Sequence, residues 1–414
     1  MKDKIKNRIN ALTPEKKALF DQQLKKHAEQ SIETDDESDK STENFPFLPK
    51  SEAPNGNMEF SFLFFSSDGA SDEPDKYRLL LECAQYADVN GFAAIWTPER
   101  HFNPFGGLYP NPAVISAALA MHTDHIQLRA GSVVLPLQHP LRVVEEWSVV
   151  DNLSNGRVAI AFASGWLADD FVLAPNNYDS RKAVMFEEIK TVRKLWQGKT
   201  IAMNNGLGEP YDVRIYPTPV QKNLTIWVTA TGKNTFVEAG KTGANVLTGL
   251  MEQGIEQCAE CIKAYRQALA ENGHDPASGK VAIMLHTYLG EKVSEVKETV
   301  RGPFSQYLHS FLRMTKTQLA HEVPETGASR SLAEQDQQAL LDFAFERYFN
   351  TRALFGTPQS CISMITSLQK IGVDEIACLL DFGLDKETVL NGLDYLHQLK
   401  TQFARPGMKQ QGVY

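Results

Sequence analysis

From residue 58 onward two kinds of apolar pattern take turns along the chain. Short runs that are almost wholly apolar are followed by longer stretches in which apolar positions recur three and four apart. The first kind reads as strand buried on both faces, the second as amphipathic helix. Strands are expected over 58–65 (MEFSFLFF), 91–97, 126–136, 157–163, 224–230, 245–248, 281–289 and 375–380. Helices are expected over 75–90, 111–122, 140–153, 181–196, 234–240 and 253–272, and again from Val293. Such alternation specifies a parallel sheet, closed as a barrel or open and doubly wound, and the rhythm alone does not choose. Residues 301–351 exceed an ordinary connection and read as a functional, helix-rich insertion between strands seven and eight.

Ahead of this rhythm, residues 1–30 read as an accessory or docking helix. Thr13 caps it, Pro14 suits its first position, Glu15 complements the dipole, and Leu19, Phe20 and Leu24 give a partial apolar face. Residues 31–57 are rich in Glu, Asp, Ser, Thr, Pro and Asn. They cannot bury enough apolar surface to offset their ordering entropy, so a flexible acidic linker is expected. That leaves 58–402 as the main domain and 403–414 as a C-terminal tail. Acidic residues outnumber basic ones by 51 to 42, which argues against a nucleic-acid partner held by phosphate neutralisation. No run approaches a membrane span, and the start lacks the apolar core of a signal peptide. Five thinly spread cysteines fit a reducing, cytoplasmic setting.

Several familiar signals fail. No GxGxxG follows a strand, and neither HExxH nor GxSxG occurs. Gly198-Lys199-Thr200 imitates the end of a phosphate loop, but Arg193 stands where its first glycine belongs. Cys258 and Cys261 form a lone CxxC inside an expected helix, with no second pair to complete a metal site.

The informative stretches lie where strands end. Glu99-Arg100-His101 follows the second strand and sets three ionisable groups there; alone it equally suits a surface ion-pair loop. Gly131-Ser132 interrupts the third strand, as at a bulge, a packing contact or a close approach to a ligand. Ser164-Gly165-Trp166 follows the fourth. Thr231-Gly232-Lys233-Asn234-Thr235 follows the fifth, where a small-residue turn opens a helix. Free backbone N–H groups, the helix dipole, a lysine and two hydroxyls converge there, so it is a natural phosphate seat as well as an ordinary cap.

Together, and in this order, these pieces resemble the bacterial-luciferase-like flavin monooxygenase family. The resemblance is carried by GFAAIWTPERHF, GLYPNPAVISAALA, IQLRAGSVVLPLQHPLRVVEEWSVVDNLSNGR, VAIAFASGW, VTATGKNTF and FGTPQSCISMITSLQKIGVDEIACLLDFG. It implies a (β/α)8 TIM barrel. The subgroup found with polyketide and nonribosomal peptide synthases is resembled most, through ASGW followed by FVLAP and through LTPEKKALFDQQLKK.

The resemblance implies FMN, used as FMNH2 supplied by a separate flavin reductase, and O2 as co-substrate. It places the phosphate at Thr231, Gly232, Lys233, Asn234 and Thr235, and a non-prolyl cis peptide beside the flavin ring at Gly131-Ser132. Ser164 falls where luciferase has a phosphate-holding arginine, so Lys233 or backbone donors take over that task. Of luciferase's two consecutive histidines, the first position is Arg100 and only the second, His101, remains. His101 is the expected acid–base residue, with Arg100 as an anion stabiliser and Glu99 orienting its neighbours. Asp381 and His139 are lesser candidates for that acid–base work. Phe64, Trp96, Phe102 and Trp166, with Asp381, are expected to line the substrate pocket; plain core packing is the competing reading for the aromatics.

The expected activity is hydroxylation of an acyl or aminoacyl chain, carried on an acyl or peptidyl carrier protein of a synthase, by a homodimeric enzyme. A deazaflavin-dependent oxidoreductase, a monooxygenase of free small molecules and a non-catalytic flavin-binding subunit are the competing functions.

Overall fold

A computed structural model describes residues 58–65, 75–251, 253–322 and 334–403. The expected N-terminal helix, the acidic linker and the tail beyond Phe403 lie outside the described residues.

In chain order the elements are β1 (Glu59–Leu63), α1 (Arg78–Val89), β2 (Ala94–Thr97), α2 (Pro112–Ala120), β3 (Gln127–Val134), α3 (Pro140–Leu153), β4 (Val158–Ala163) and α4 (Arg181–Trp196). Next come the short strands β5 (Ile201–Asn204) and β6 (Pro210–Val213), then β7 (Thr225–Thr229), α5 (Lys233–Lys241), β8 (Asn245–Gly249), α6 (Ile255–Glu271) and β9 (Val281–Leu289). The last part holds α7 (Val293–Glu322), α8 (Glu334–Thr351), β10 (Leu354–Gly356), α9 (Pro358–Lys370), β11 (Glu375–Leu379) and α10 (Lys386–Gln402).

Strands β1, β2, β3, β4, β7, β8, β9 and β11 pair in parallel, each with the next. The ring closes where β11 pairs with β1, Glu59 opposite Glu375. Closure decides for the (β/α)8 barrel over the open sheet. β10 pairs in parallel with the last three residues of β9, and β5–β6 is an antiparallel hairpin between α4 and β7.

Side chains alternate across each strand and so divide the core in two. Phe60, Phe62 and Phe64 of the first strand region pack outward with the helices, together with Ile95, Leu128, Ile160, Val228 and Ile376. Leu63, Trp96, Ala159, Ala161, Trp227, Leu247 and Ala377 fill the barrel interior. Local chemistry fixes the helix starts. Asn111 Oδ1 accepts the Ala113 and Val114 N–H groups with Pro112 in the first turn, and Thr357 forms a reciprocal capping box with Ser360.

The insertion between β9 and β11 is helical, as expected. Val300, Phe304, Tyr307, Leu308 and Met314 of α7 belong to the same apolar cluster as the barrel interior, with Ala344, Phe345, Tyr348 and Phe349 of α8. This face therefore covers the barrel rather than standing away from it. Lys297 Nζ and Arg301 Nη2 of α7 donate to Glu346 of α8 at 2.6 and 2.9 Å, tying the two helices together. Among the described residues no helix is long and apolar enough to cross a membrane.

Candidate active site

The loop after β2 is held by buried bonds that start from Glu99. Its Oε2 accepts the Val134 N–H at 2.7 Å, at the end of β3. Its Oε1 accepts from Gln138 Nε2 at 2.5 Å and lies 2.9 Å from His101 Nε2. Glu99 therefore fixes the second and third strand ends relative to each other and sets the His101 ring. Phe102 follows in the left-handed region (φ 53°), which swings its ring outward to 67% exposure. It stands on the rim, not in an inner wall.

Arg100 is buried. Its Nη1 donates to Asp170 Oδ2 at 2.8 Å, its Nε reaches the Phe105 carbonyl at 3.4 Å, and its Nη2 lies 2.9 Å from Met314 Sδ. Its guanidinium sits 5.7 Å from the Trp166 ring centre. Burial lowers the Arg100 pKa, although Asp170 and Asp169 oppose this. Burial likewise raises Asp170, against the pull of Arg100. The attraction does not fully offset desolvation on either side, which marks a positioning pair. It binds the turn after β4 to the loop after β2, and this engagement leaves Arg100 less free to meet a developing anion than expected.

The expected cofactor residues gather around β3, β4 and β7. The Gly131–Ser132 peptide is cis, and the β3–β4 register shifts there. A Cβ on Gly131 would lie 3.1 Å from Trp96 Cβ and Cε3, so the backbone already rests on that indole. Ser132 Oγ pairs with Thr229 Oγ1 at 2.5 Å, across the small residues of β4. Three residues beyond Thr229 comes Gly232, the N-cap of α5, which is extended (φ −115°) and receives no side-chain capping bond. The first turn of α5 holds no acidic residue, Thr231, Lys233 and Asn234 are exposed, and Thr235 is half-buried. Three residues span at most about 11 Å, so the hydroxyl pair and the helix start lie within reach of one phosphorylated isoalloxazine. Ser164 is half-buried just past β4, and Gly165 follows with φ 78°, where a Cβ would meet Phe171 and Val134.

The aromatic positions divide. Phe64 points away from the mouth, into the layer of helices, because β1 alternates one residue out of step with the expectation. Phe65 takes the inner position, its ring 5.2 Å from Phe105. Trp96 lies in the barrel interior, its Nε1 donating to Ser61 Oγ at 2.8 Å and Glu375 Oε1 at 3.2 Å. It supports Gly131 from behind. Trp166 is 39% exposed at the rim, 6.3 Å from Phe311 of α7. Asp381 accepts the Phe65 N–H at 2.7 Å and the Tyr109 hydroxyl at 3.1 Å, joining the first and last strand ends. His139 caps α3 by accepting the Leu141 N–H at 3.3 Å. Asp170, Thr229 and His286 were not anticipated. For the latter two the signal was present: in LTIWVTA and VAIMLHTYL, Thr229 and His286 are polar residues at inward-facing positions.

The closed barrel thus gathers at its strand ends a histidine, a bared helix start and an adjacent hydroxyl pair. The family profile Luciferase-like monooxygenase matches residues 58–375, and the chain belongs to that family. It is 27% identical over 338 residues to the oxygenase component of flavin-dependent trigonelline monooxygenase from Acinetobacter baylyi, covering 80% of this chain and 91% of that protein. It is 29% identical over 300 residues to limonene 1,2-monooxygenase from Rhodococcus erythropolis, covering 70% and 71%. It shares the fold of the FMN-bound oxygenating constituent of 3,6-diketocamphane monooxygenase from Pseudomonas putida, with a TM-score of 0.65, 17% identity and coverage of 84% and 99%.

Proposed function

We propose that this enzyme is an FMNH2-dependent monooxygenase acting on a small, largely apolar molecule. The observation that carries this reading is the uncapped start of α5 beside the Ser132–Thr229 pair. An N-terminus with free N–H groups attracts an anion, and Lys233 adds a full charge. The residues fit FMN: Gly232, Lys233, Asn234 and Thr235 would hold the phosphate, and Gly131 and Ser132 would lie along the ring. Reduced flavin, delivered by a separate reductase, supplies the electrons with which O2 yields one oxygen atom to substrate and one to water.

The chain's own residues position, exclude water and move a proton. Glu99 occupies His101 Nε2, so Nδ1 is the atom through which His101 exchanges protons with the mouth. The α7 face and the Trp166 and Phe105 rings keep bulk water from the reacting centre.

Titration with FMN, riboflavin and a deazaflavin tests the site. FMN binds, riboflavin binds about tenfold more weakly, and Lys233→Ala removes most of that difference, as expected for a charge-assisted phosphate contact. Binding of deazaflavin alone sinks the oxygenase reading. The second reading keeps an acyl or aminoacyl chain on a carrier protein as substrate. It is favoured by ASGW-FVLAP and the 12–26 segment, whereas the relatives named for trigonelline and limonene favour free molecules. Mass spectrometry of free and carrier-bound candidates after turnover with reductase and O2 separates the two. We also propose a homodimer joined through exposed Val114, Met121, Val149 and Leu153 on and beside the packed helices α2 and α3, tested by light scattering.

A further inference from the structure

β9 turns Ala282, Met284 and His286 toward the barrel interior, while Val281, Ile283 and Leu285 face the helices. His286 stands opposite Leu379 of β11 and is 2% exposed. Aromatic rings box its imidazole: Phe304 at 4.8 Å, Tyr307 at 4.6 Å and Phe382 at 5.7 Å, all edge-on. Its Nε2 has no hydrogen-bond partner. An unpaired buried nitrogen destabilises the fold, and a phenylalanine would fill the box without that penalty, so packing does not explain a histidine here. Burial also drives the ring's pKa down to about 3, which keeps it neutral, one nitrogen a donor and the other an acceptor.

The box adjoins the site. Phe304 and Tyr307 lie on α7, the helix that covers the mouth. Tyr307 packs 4.9 Å from Phe105, and Met314 of the same helix touches Arg100. His286 therefore shares one enclosure with the loop that carries His101.

We propose that His286 is a substrate-positioning residue whose Nε2 hydrogen-bonds one carbonyl or hydroxyl group of an otherwise apolar, ring-sized substrate held beneath α7. The inference rests on the monooxygenase reading for what becomes of that substrate. Phe304, Tyr307 and Phe382 supply the apolar contact, and Nε2 supplies the single directional bond. Such a division suits an oxygenase, because one fixed polar point sets which carbon faces the flavin. A shift of α7 admits the molecule, since two of the three rings move with it.

Acetophenone and α-methylstyrene test this directly. They share a shape and differ in C=O against C=CH2. Binding of each to the full chain is followed by tryptophan fluorescence in wild type, His286→Phe and His286→Gln, with thermal midpoints recorded alongside. Wild type is expected to prefer the ketone about tenfold, His286→Phe to lose the preference, and His286→Gln to retain part of it. The midpoint of His286→Phe rises, which separates loss of the anchor from loss of the fold. A preference unchanged in His286→Phe, or missing from wild type, overturns the proposal. FMN titration of the same three proteins keeps the two readings apart. A chain that prefers the ketone but binds no FMN retains the anchor and removes the oxygenase.

Discussion

Replacing Glu375 with leucine tests whether the ion pair inside the barrel supports the floor of the site. Glu375 is wholly buried. Its Oε1 and Oε2 accept from Arg129 Nη1 at 2.9 and 2.8 Å, and Oε1 also accepts from Ser61 Oγ at 2.5 Å and Trp96 Nε1 at 3.2 Å. Arg129 lies 4.7 and 4.9 Å from the ring centres of Trp96 and Trp227. Leucine leaves that guanidinium enclosed, with Gln127 Oε1 as its remaining hydrogen-bonded acceptor. Breaking one side of a buried pair costs about 3–5 kcal/mol. Trp96 Nε1 keeps its bond to Ser61, so it adds little. The Arg129→Met/Glu375→Leu double variant removes both charges and should return to within about 1–2 kcal/mol of wild type, because apolar replacement of a buried pair is close to neutral. Urea unfolding of wild type, both single variants and the double variant closes the cycle, with an expected coupling of at least about 4 kcal/mol, since each single variant breaks the pair and the double removes it. A double variant as unstable as the sum of the singles would refute the reasoning. FMN affinity should follow the same order, since Trp96 supports Gly131.

Three further outcomes follow from the geometry. Gly131→Ala puts a methyl 3.1 Å from two atoms of the held Trp96; stability should fall by about 1–3 kcal/mol and FMN affinity at least roughly tenfold, and unchanged affinity in a titration counts against placing the ring there. For Glu346 burial raises the carboxyl pKa, but its bonds to Lys297 and Arg301 prevail and hold it below the ordinary 4.5. That contribution is complete above pH 4.5 and lost as pH falls through the folded value, so Glu346→Gln should flatten the fall in thermal midpoint between pH 5 and pH 3. His286 takes up a proton in the unfolded chain below its ordinary 6.5 but in the folded chain only near 3. Stability should therefore drop by about 1.4 kcal/mol per pH unit across that window, and His286→Phe should remove one proton's worth of slope; equal slopes in urea titrations would contradict the burial argument.

The sequence disclosed what is local and periodic. The boundaries of α3, α4 and β9 match the expected ones because Pro140 and the apolar patterns mark them within a few residues. The β5–β6 hairpin escaped because it is largely exposed, with neither apolar alternation nor a buried run to announce it. MEFSFLFF is apolar on both faces, and nothing in such a run says which face is inside, so it offers Phe64 for the wall as readily as Phe65. Phe65 is the inner residue only because β1 pairs with β2 and β11 in one register. The bonds that give the site residues their roles join distant positions: Arg100 to Asp170, Ser132 to Thr229, Arg129 to Glu375. Barrel closure creates these pairs, and no spacing along the chain foretells them.

The same pairings decide which groups remain for chemistry. Glu99, Arg100, Asp170 and Asp381 each use their charged ends on donors or acceptors that hold strand ends together. Moving a proton onto Glu99 would cost it an acceptor for Val134, Gln138 or His101, so it is poorly suited to cycle during turnover. Arg100 stays protonated and engaged with Asp170, so it shapes the mouth without exchanging protons. On the proposed reading, that leaves His101, aligned through Nε2, to move protons through Nδ1, and His286, unpaired at Nε2, to hold the substrate. An oxygenase whose electrons come from a delivered cofactor needs little more from its side chains than a fixed frame, a dry chamber and these two nitrogens.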